Sequence, residues 1–504
     1  MNSTFTALDF VVLVAYLVGT TLLGVWLGRG QKDAKDYFVA SHKIPWWAIL
    51  FSVVATETSA LTLISIPGLA YLGNLTFLQV ATGYLLGRTI IAFTLLPRYY
   101  QGELVTAYAL LERRFGIGTR RFASVAFMVT RAFGDSVRLF ATAIPVALIL
   151  GGAGAGRSGT VIAVVLLGAL SLGYTYFGGM RAVVWTDIIQ TAVYLIAAVA
   201  ALLLIGQAAP NGWGGILSDA GASGKLRIFD FSLAFDKPHT IFAGLLGGAF
   251  LSMASHGADQ LIVQRLLAAP SLRDAQRALI GSGIAVVFQF ALFLILGIGL
   301  HAFYQGHTFG RPDEIFPRFI IESMPAGLTG LVVAAILAAS TASGALNSLA
   351  AATIHDLYLP LTGRAASEAG VLRLSKLFTV MWAGILTGGA LLYRAQGTPV
   401  VVVALSIASF TYGGLLGGFF LGMLWRRAIQ RDAILGMATA IFIMTFVVFS
   451  KQLTPLLPAF HDTLTSLSRI AWPWYVLIGT SITMVVGMLS SLTHPAPAGP
   501  SRWK

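Results

Sequence analysis

The 504-residue sequence contains no cysteine, which excludes disulfides, thiolate metal sites and cysteine nucleophiles. Charge is scarce as well: Asp, Glu, Lys and Arg make up 11% of the chain, where a soluble domain carries about 25%. A water-soluble protein is excluded on that ground. No GxxxxGK(S/T) phosphate loop is present to drive an ATP-fuelled pump, and no HExxH or GxSxG arrangement points to hydrolysis. The chain is therefore expected not to be an enzyme.

What abounds is apolar: 57% hydrophobic residues, 55 glycines and a mean hydropathy of +0.81. The apolar residues fall into stretches of about 20, the length that crosses ~30 Å of hydrocarbon as helix. They lie at 7–28, 45–72, 75–97, 122–152, 159–178, 183–206, 240–262, 278–303, 327–355, 374–393, 398–424, 430–450 and 471–492, roughly thirteen spans of an all-α polytopic membrane protein. The first has no basic residue ahead of it and carries Asp9, so it is read as a retained span rather than a signal peptide.

The net charge of +13 would suggest a polyanion partner in a soluble chain. Here most of the 33 Lys and Arg fall in alternate connections, and the positive-inside rule then places the amino terminus outside and the carboxyl terminus in the cytoplasm. The expected setting is the cell inner (plasma) membrane, with the lipid bilayer as partner, no nucleic acid, and a monomer as the working unit. The longer connections, 207–239 and 301–326, are too short for independent domains.

A charged or polar residue inside a span is expensive and calls for a reason. The run Ala55-Thr56-Glu57-Thr58-Ser59-Ala60-Leu61-Thr62 puts four hydroxyls and a carboxylate in an otherwise apolar stretch, as expected of a helix broken beside a cavity or ion, or of hydroxyls back-bonding along an intact one. In 327–355, Ser340, Ser343 and Asn347 share one helical face with Thr341 and Ser348 beside it. Neutral oxygens of this kind suit a weakly held monovalent cation such as sodium; a small-residue packing seam is the alternative. In 122–152, Arg131, Asp135 and Arg138 share another face, and Asp135 neutralises one arginine only. The surplus charge requires an aqueous cavity, an anionic solute or an acid elsewhere, with Glu57 as a candidate partner, unless Arg131 snorkels to the interface. Asp187 is read either as the surface partner of Arg181 or as a carboxylate acting on the cation or on inward opening.

The motifs carry a more specific signal. Asp36-Tyr37-Phe38-Val39-Ala40 precedes Pro45-Trp46-Trp47, and Thr106-Ala107-Tyr108-Ala109-Leu110-Leu111-Glu112-Arg113-Arg114-Phe115-Gly116 resembles the TAYxxLExRFG segment of the sodium:solute symporter family. Gly178-Gly179-Met180-Arg181-Ala182-Val183-Val184-Trp185-Thr186-Asp187 with Gln190 resembles its GGxxAVxxTDxxQ motif, and Asp259-Gln260 with Gln264-Arg265 its DQxxxQR motif. Ser409-Phe410-Thr411-Tyr412-Gly413 completes a set that runs in order from about residue 36 to 424.

This resemblance implies a LeuT-type fold of two inverted five-helix repeats, at 45–206 and 240–424, with residues 1–44 forming an extra helix and cytoplasmic loop, 207–239 an external loop, and 425–504 two further helices and a short tail. It implies a sodium site of the Ala55 and Thr58 carbonyls, the Leu337 carbonyl and the Ser340 and Thr341 hydroxyls. Some members hold a second sodium, or gate, with the aspartate matching Asp187 and hydroxyls near Ser343. Gly344 stands where those members carry Ser or Thr, so one coupling ion is expected. The glutamine and glutamate of sugar-carrying members have no counterpart, whereas Arg138 falls near the carboxylate-binding arginine of sialic acid carriers, with Arg131 as the other candidate. The resemblance thus implies an organic anion held among Ser59, Thr62, Gln79, Arg138 and Phe250, with Glu57, Arg131 and Asp135 as coupling or charge partners. The expected function is sodium-coupled symport by alternating access. Proton coupling through Glu57 or Asp187, a neutral sugar or amino acid as solute, and a sensor with the transporter fold are the alternatives.

Overall fold

The computed structural model describes residues 5–28, 43–58, 60–101, 104, 106–151, 156–340, 343–363, 368–394 and 399–495. Among them the chain is helical, with no strand. The helices that frame the site are α1 (Ala7–Gly28), α2 (Trp46–Glu57), α3 (Ala60–Leu72), α4 (Leu78–Thr94), α5 (Ile117–Gly151), α6 (Gly156–Ala208), α7 (Gly248–Gly257), α8 (Gln260–Leu267), α9 (Leu272–Phe303), α10 (Leu328–Ser340), α11 (Ser343–Ala352), α12 (Glu368–Leu392), α13 (Val400–Leu424), α14 (Gln430–Val448) and α15 (Trp474–Ser491).

Seven helices among the described residues are long and apolar enough to cross a membrane alone, and α2 with α3 forms an eighth span bent by 59°. The other apolar stretches fail that test for visible reasons: α5 carries charged residues, and the run around α7 and α8 is interrupted. The two stretches expected at 159–178 and 183–206 belong to one run of helical hydrogen bonding, α6, within which Arg157–Gly173 and Met180–Ala208 are the apolar segments.

Small residues set the packing. Helix α4 lies so close to α7 and the Ala243–Gly247 turns before it that a β-carbon on Gly83 or Gly87 would collide with the carbonyl oxygens of Gly244 and Ala249 respectively. Without a hydrophobic force between helices in lipid, such close approach is a main source of cohesion. Gly297 of α9 receives the Pro67 carbonyl of α3 in the same way. Helices α13, α14 and α15 pack on one another beyond the site, and α13 also lies against α5.

Helix α1 is fixed by a polar contact inside this apolar assembly. The Asp9 carboxylate accepts hydrogen bonds from the Gly327 and Gly330 amides at 2.7 and 2.8 Å, at the start of α10. It thereby caps a helix other than its own, where a negative group is favoured by the unpaired amides and the helix dipole.

Candidate functional site

Two helix breaks face one cavity. At the first, α2 ends at Glu57 and Thr58 takes φ −89° and ψ 63°, outside the helical region. The Thr62 hydroxyl donates to the Glu57 carbonyl at 3.1 Å, filling one of the acceptors that the break leaves free. At the second, α7 ends at Gly257, and Asp259 caps α8 by accepting the Leu261 amide at 2.8 Å. A π-helical segment, Ala243–Gly247, precedes α7. The hydroxyl-rich run and the Gly-Ala-Asp run are thus where regular helix gives way.

The cavity between them spans about 950 Å³ of empty space, part of it open solvent. Thr56, Glu57, Thr62, Arg131, Asp135, Arg138, Ser255, His256 and Tyr412 supply its polar lining, amid apolar side chains such as Leu61, Phe77, Phe290 and Leu405.

Its charges are paired unequally. Arg131 donates to Asp259 at 2.6 Å and lies 3.5 Å from Asp135, and the Tyr412 hydroxyl donates to the same Asp259 carboxylate. Arg131 therefore stays inside rather than reaching for the interface. Glu57 pairs with the fully buried Arg88 of α4, not with Arg131 or Arg138. Arg138 has its nearest carboxylate, Asp135, at 3.9 Å and keeps 24% of its side chain exposed. Three acids and three bases balance: Glu57 with Arg88, Arg131 with Asp259, and Arg138 loosely with Asp135.

Thr62 and Arg138 line the cavity, whereas Gln79 and Phe250 lie outside its lining. Gln79 donates to the His239 carbonyl and accepts the Asp230 amide, binding the 207–239 loop to α4. Ser59 and Thr341, and the side chains of Ser340 and Ser343, lie outside the described residues. Ala55 and Thr58 occupy the end of α2, Leu337 lies in α10, and α10 packs on α3. The Thr58 hydroxyl is buried without a hydrogen-bond partner among the described residues, an orphaned oxygen of the kind a sodium ion would satisfy.

Asp187 sits apart from the cavity. It accepts from Ser52 at 2.6 Å and from Arg265 at 3.4 Å, and the Arg265 guanidinium lies where a β-carbon on Gly344 would stand. The other motif residues are tethers: Gln260 accepts the Ala107 amide at 2.7 Å, Gln264 accepts the Ser348 hydroxyl at 2.9 Å, and Thr106 donates to Asp356 at 2.8 Å. Arg88 and His256 join the site without a motif to mark them, although each is a polar residue within an apolar stretch, the same signal that marks Glu57.

The profile of the sodium:solute symporter family matches residues 37–440. The chain belongs to that family. It is 30% identical to the sodium/sialic acid symporter NanT of Aliivibrio fischeri, over 97% of this chain and 93% of that protein. It is 28% identical to the sodium/sialic acid symporter SiaT of Proteus mirabilis, over 89% and 91%. Its structure resembles that of a Na+-coupled sialic acid symporter in a substrate-bound outward-open state, with a TM-score of 0.84, 26% identity, and 98% and 99% of the two chains covered. The symporter is thus a sodium-coupled membrane transporter of a small solute, and sodium is its coupling ion.

Proposed function

We propose that this symporter imports a small carboxylate-bearing anion together with one sodium ion. The observation that carries the reading is Arg138, the least compensated cation in the cavity wall, 3.9 Å from its nearest carboxylate. The sialic acid specificity of its relatives supports the same class of solute. A balanced site gains a net charge if it takes an anion alone, which is costly in a low-dielectric span. Sodium and a monoanion together leave it neutral, so each favours the binding of the other.

Sodium would be held by the Ala55, Thr58 and Leu337 carbonyls with the Ser340 and Thr341 hydroxyls, joining α2 to α10, and the unpaired Thr58 hydroxyl would supply a further oxygen. Asp187 is already satisfied by Arg265 and Ser52, and Gly344 leaves room for the guanidinium, which supports a single ion. The repeats map to 45–206 and 240–424, with breaks in corresponding helices, and the amino terminus faces outward.

Uptake by the purified protein in proteoliposomes tests this. Sialic acid, short monocarboxylates, a hexose and an amino acid are offered under a sodium gradient, then under a proton gradient in choline. Carboxylate uptake driven by sodium alone, and unchanged when the membrane potential is clamped, is the expected result. Equal uptake in choline, or uptake of the hexose only, would overturn the proposal. Thr341→Ala should raise the sodium concentration required.

A further inference from the structure

The cavity has a second set of polar residues that the carboxylate reading leaves unused. His256 and Ser255 reach it from the last turn of α7, and Glu57 from the last turn of α2. His256 is 2% exposed. Its Nδ1 lies 2.8 Å from Ser255 Oγ and 3.2 Å from the Ser252 carbonyl, and its Nε2 has no hydrogen-bond partner among the described residues. A buried ring nitrogen left unpaired is unfavourable, and a position needed only for packing would be better filled by an apolar side chain.

Nε2 stands 3.8 Å from Glu57 Oε2. That gap is too wide for a direct hydrogen bond, yet one oxygen atom can reach both groups at ~2.8 Å. The Glu57 carboxylate is held in place by Arg88, which also donates to Ser282 Oγ at 2.8 Å. Glu57 therefore presents acceptor oxygens only. Nε2 is a donor or an acceptor according to which partner takes Nδ1.

When the Ser255 hydroxyl donates to Nδ1, Nε2 carries the proton. A hydroxyl then fits both groups, donating to Glu57 and accepting from Nε2. A second carboxylate would be repelled by Glu57, and an alkyl group would leave both polar atoms unpaired.

We propose that His256, Ser255 and Glu57 form a hydroxyl-recognition subsite, so that the preferred solutes are hydroxylated carboxylates rather than alkyl carboxylates. The inference rests on the reading that Arg138 takes the carboxylate. It adds that selection among carboxylates is made by a second polar contact in the same cavity, where a missing hydroxyl leaves buried protein atoms unpaired.

The test uses the full chain in proteoliposomes under a sodium gradient, with gluconate, hexanoate and sialic acid as probes. The hydroxylated acids should show a KM at least ~10-fold below that of hexanoate, as expected of a site that discriminates by hydrogen bonding. His256→Phe should remove that preference by raising the KM of gluconate and sialic acid while leaving hexanoate and the half-saturating sodium concentration unchanged. His256→Gln and Ser255→Ala should shrink the preference without removing it, and they carry the test if the Phe variant does not fold. Equal handling of gluconate and hexanoate by the unaltered protein would overturn the subsite alone. A shift of all KM values together in the variants would make His256 a structural residue and overturn it too. Failure of every carboxylate to be transported would remove the Arg138 reading and the subsite with it.

Discussion

The guanidinium of Arg131 stands 2.6 Å from the carboxylate of Asp259, joining the middle of α5 to the break between α7 and α8. Tyr412 of α13 donates to the same carboxylate. One ion pair thus fixes three elements around the cavity. Removing one partner of a buried pair costs about 3–5 kcal/mol, because the other charge is left unpaired. Asp259→Asn should therefore lower the melting temperature in detergent sharply, and uptake with it. Combining Asp259→Leu with Arg131→Met should recover much of the melting temperature while uptake stays low. Unfolding followed by tryptophan fluorescence checks both.

Arg138 is expected to behave differently, because its nearest acid is 3.9 Å away. Its removal should leave stability within ordinary surface limits of about 0.5 kcal/mol. A charged hydrogen bond to a solute carboxylate contributes about 1.5–3 kcal/mol, so Arg138→Ala should raise the KM for a carboxylate by about 10- to 100-fold. Arg138→Lys keeps the charge but loses the two-pronged geometry and should fall between. Uptake and thermal melting of the same preparations separate solute binding from folding.

Thr58 offers a third contrast. Its buried hydroxyl has no protein partner among the described residues, so Thr58→Val removes an oxygen without breaking a hydrogen bond. Stability should be preserved, and the half-saturating sodium concentration should rise by about 10-fold, equivalent to ~1.4 kcal/mol. A sodium titration of uptake at fixed solute reads this directly.

At the end of α15, His494 Nε2 lies 2.9 Å from Asp432 of α14. The Pro495 carbonyl and the Asp432 carboxylate raise the His494 pKa above its ordinary value of 6.5. A raised histidine pKa adds stability below the unfolded value, and that contribution is lost as pH rises through the folded value. Carboxypeptidase trimming up to His494 should therefore be slower at about pH 6 than at about pH 8.5. His494→Gln should make trimming equally fast at both.

Periodicity and local chemistry make part of this molecule legible from its residues alone. Twenty-residue apolar runs reveal the helical membrane fold, and ordered motifs reveal the family, because both are written in contiguous sequence. Pairing is not legible in this way. Glu57 finds Arg88 and Asp187 finds Arg265, residues 31 and 78 positions away, and nothing in helical spacing relates them. Asp259 is visible as a motif residue, but its grip on Arg131 depends on how α5 and α8 cross. Arg88 and His256 are within reach of the rule that polar residues in spans need reasons, yet each stands alone rather than in a cluster, which hides it. Gln79 and Phe250 are expected in the site by resemblance, and in the structure neither touches the cavity.

The contact of Asp9 with Gly327 and Gly330 gives the first span a duty beyond anchoring. A protein lacking that span would leave the leading amides of α10 without the carboxylate that receives them. Because α10 also bears Leu337 and Ser340, an amino-terminal deletion that still inserts would disturb ion capture from the far side of the bundle.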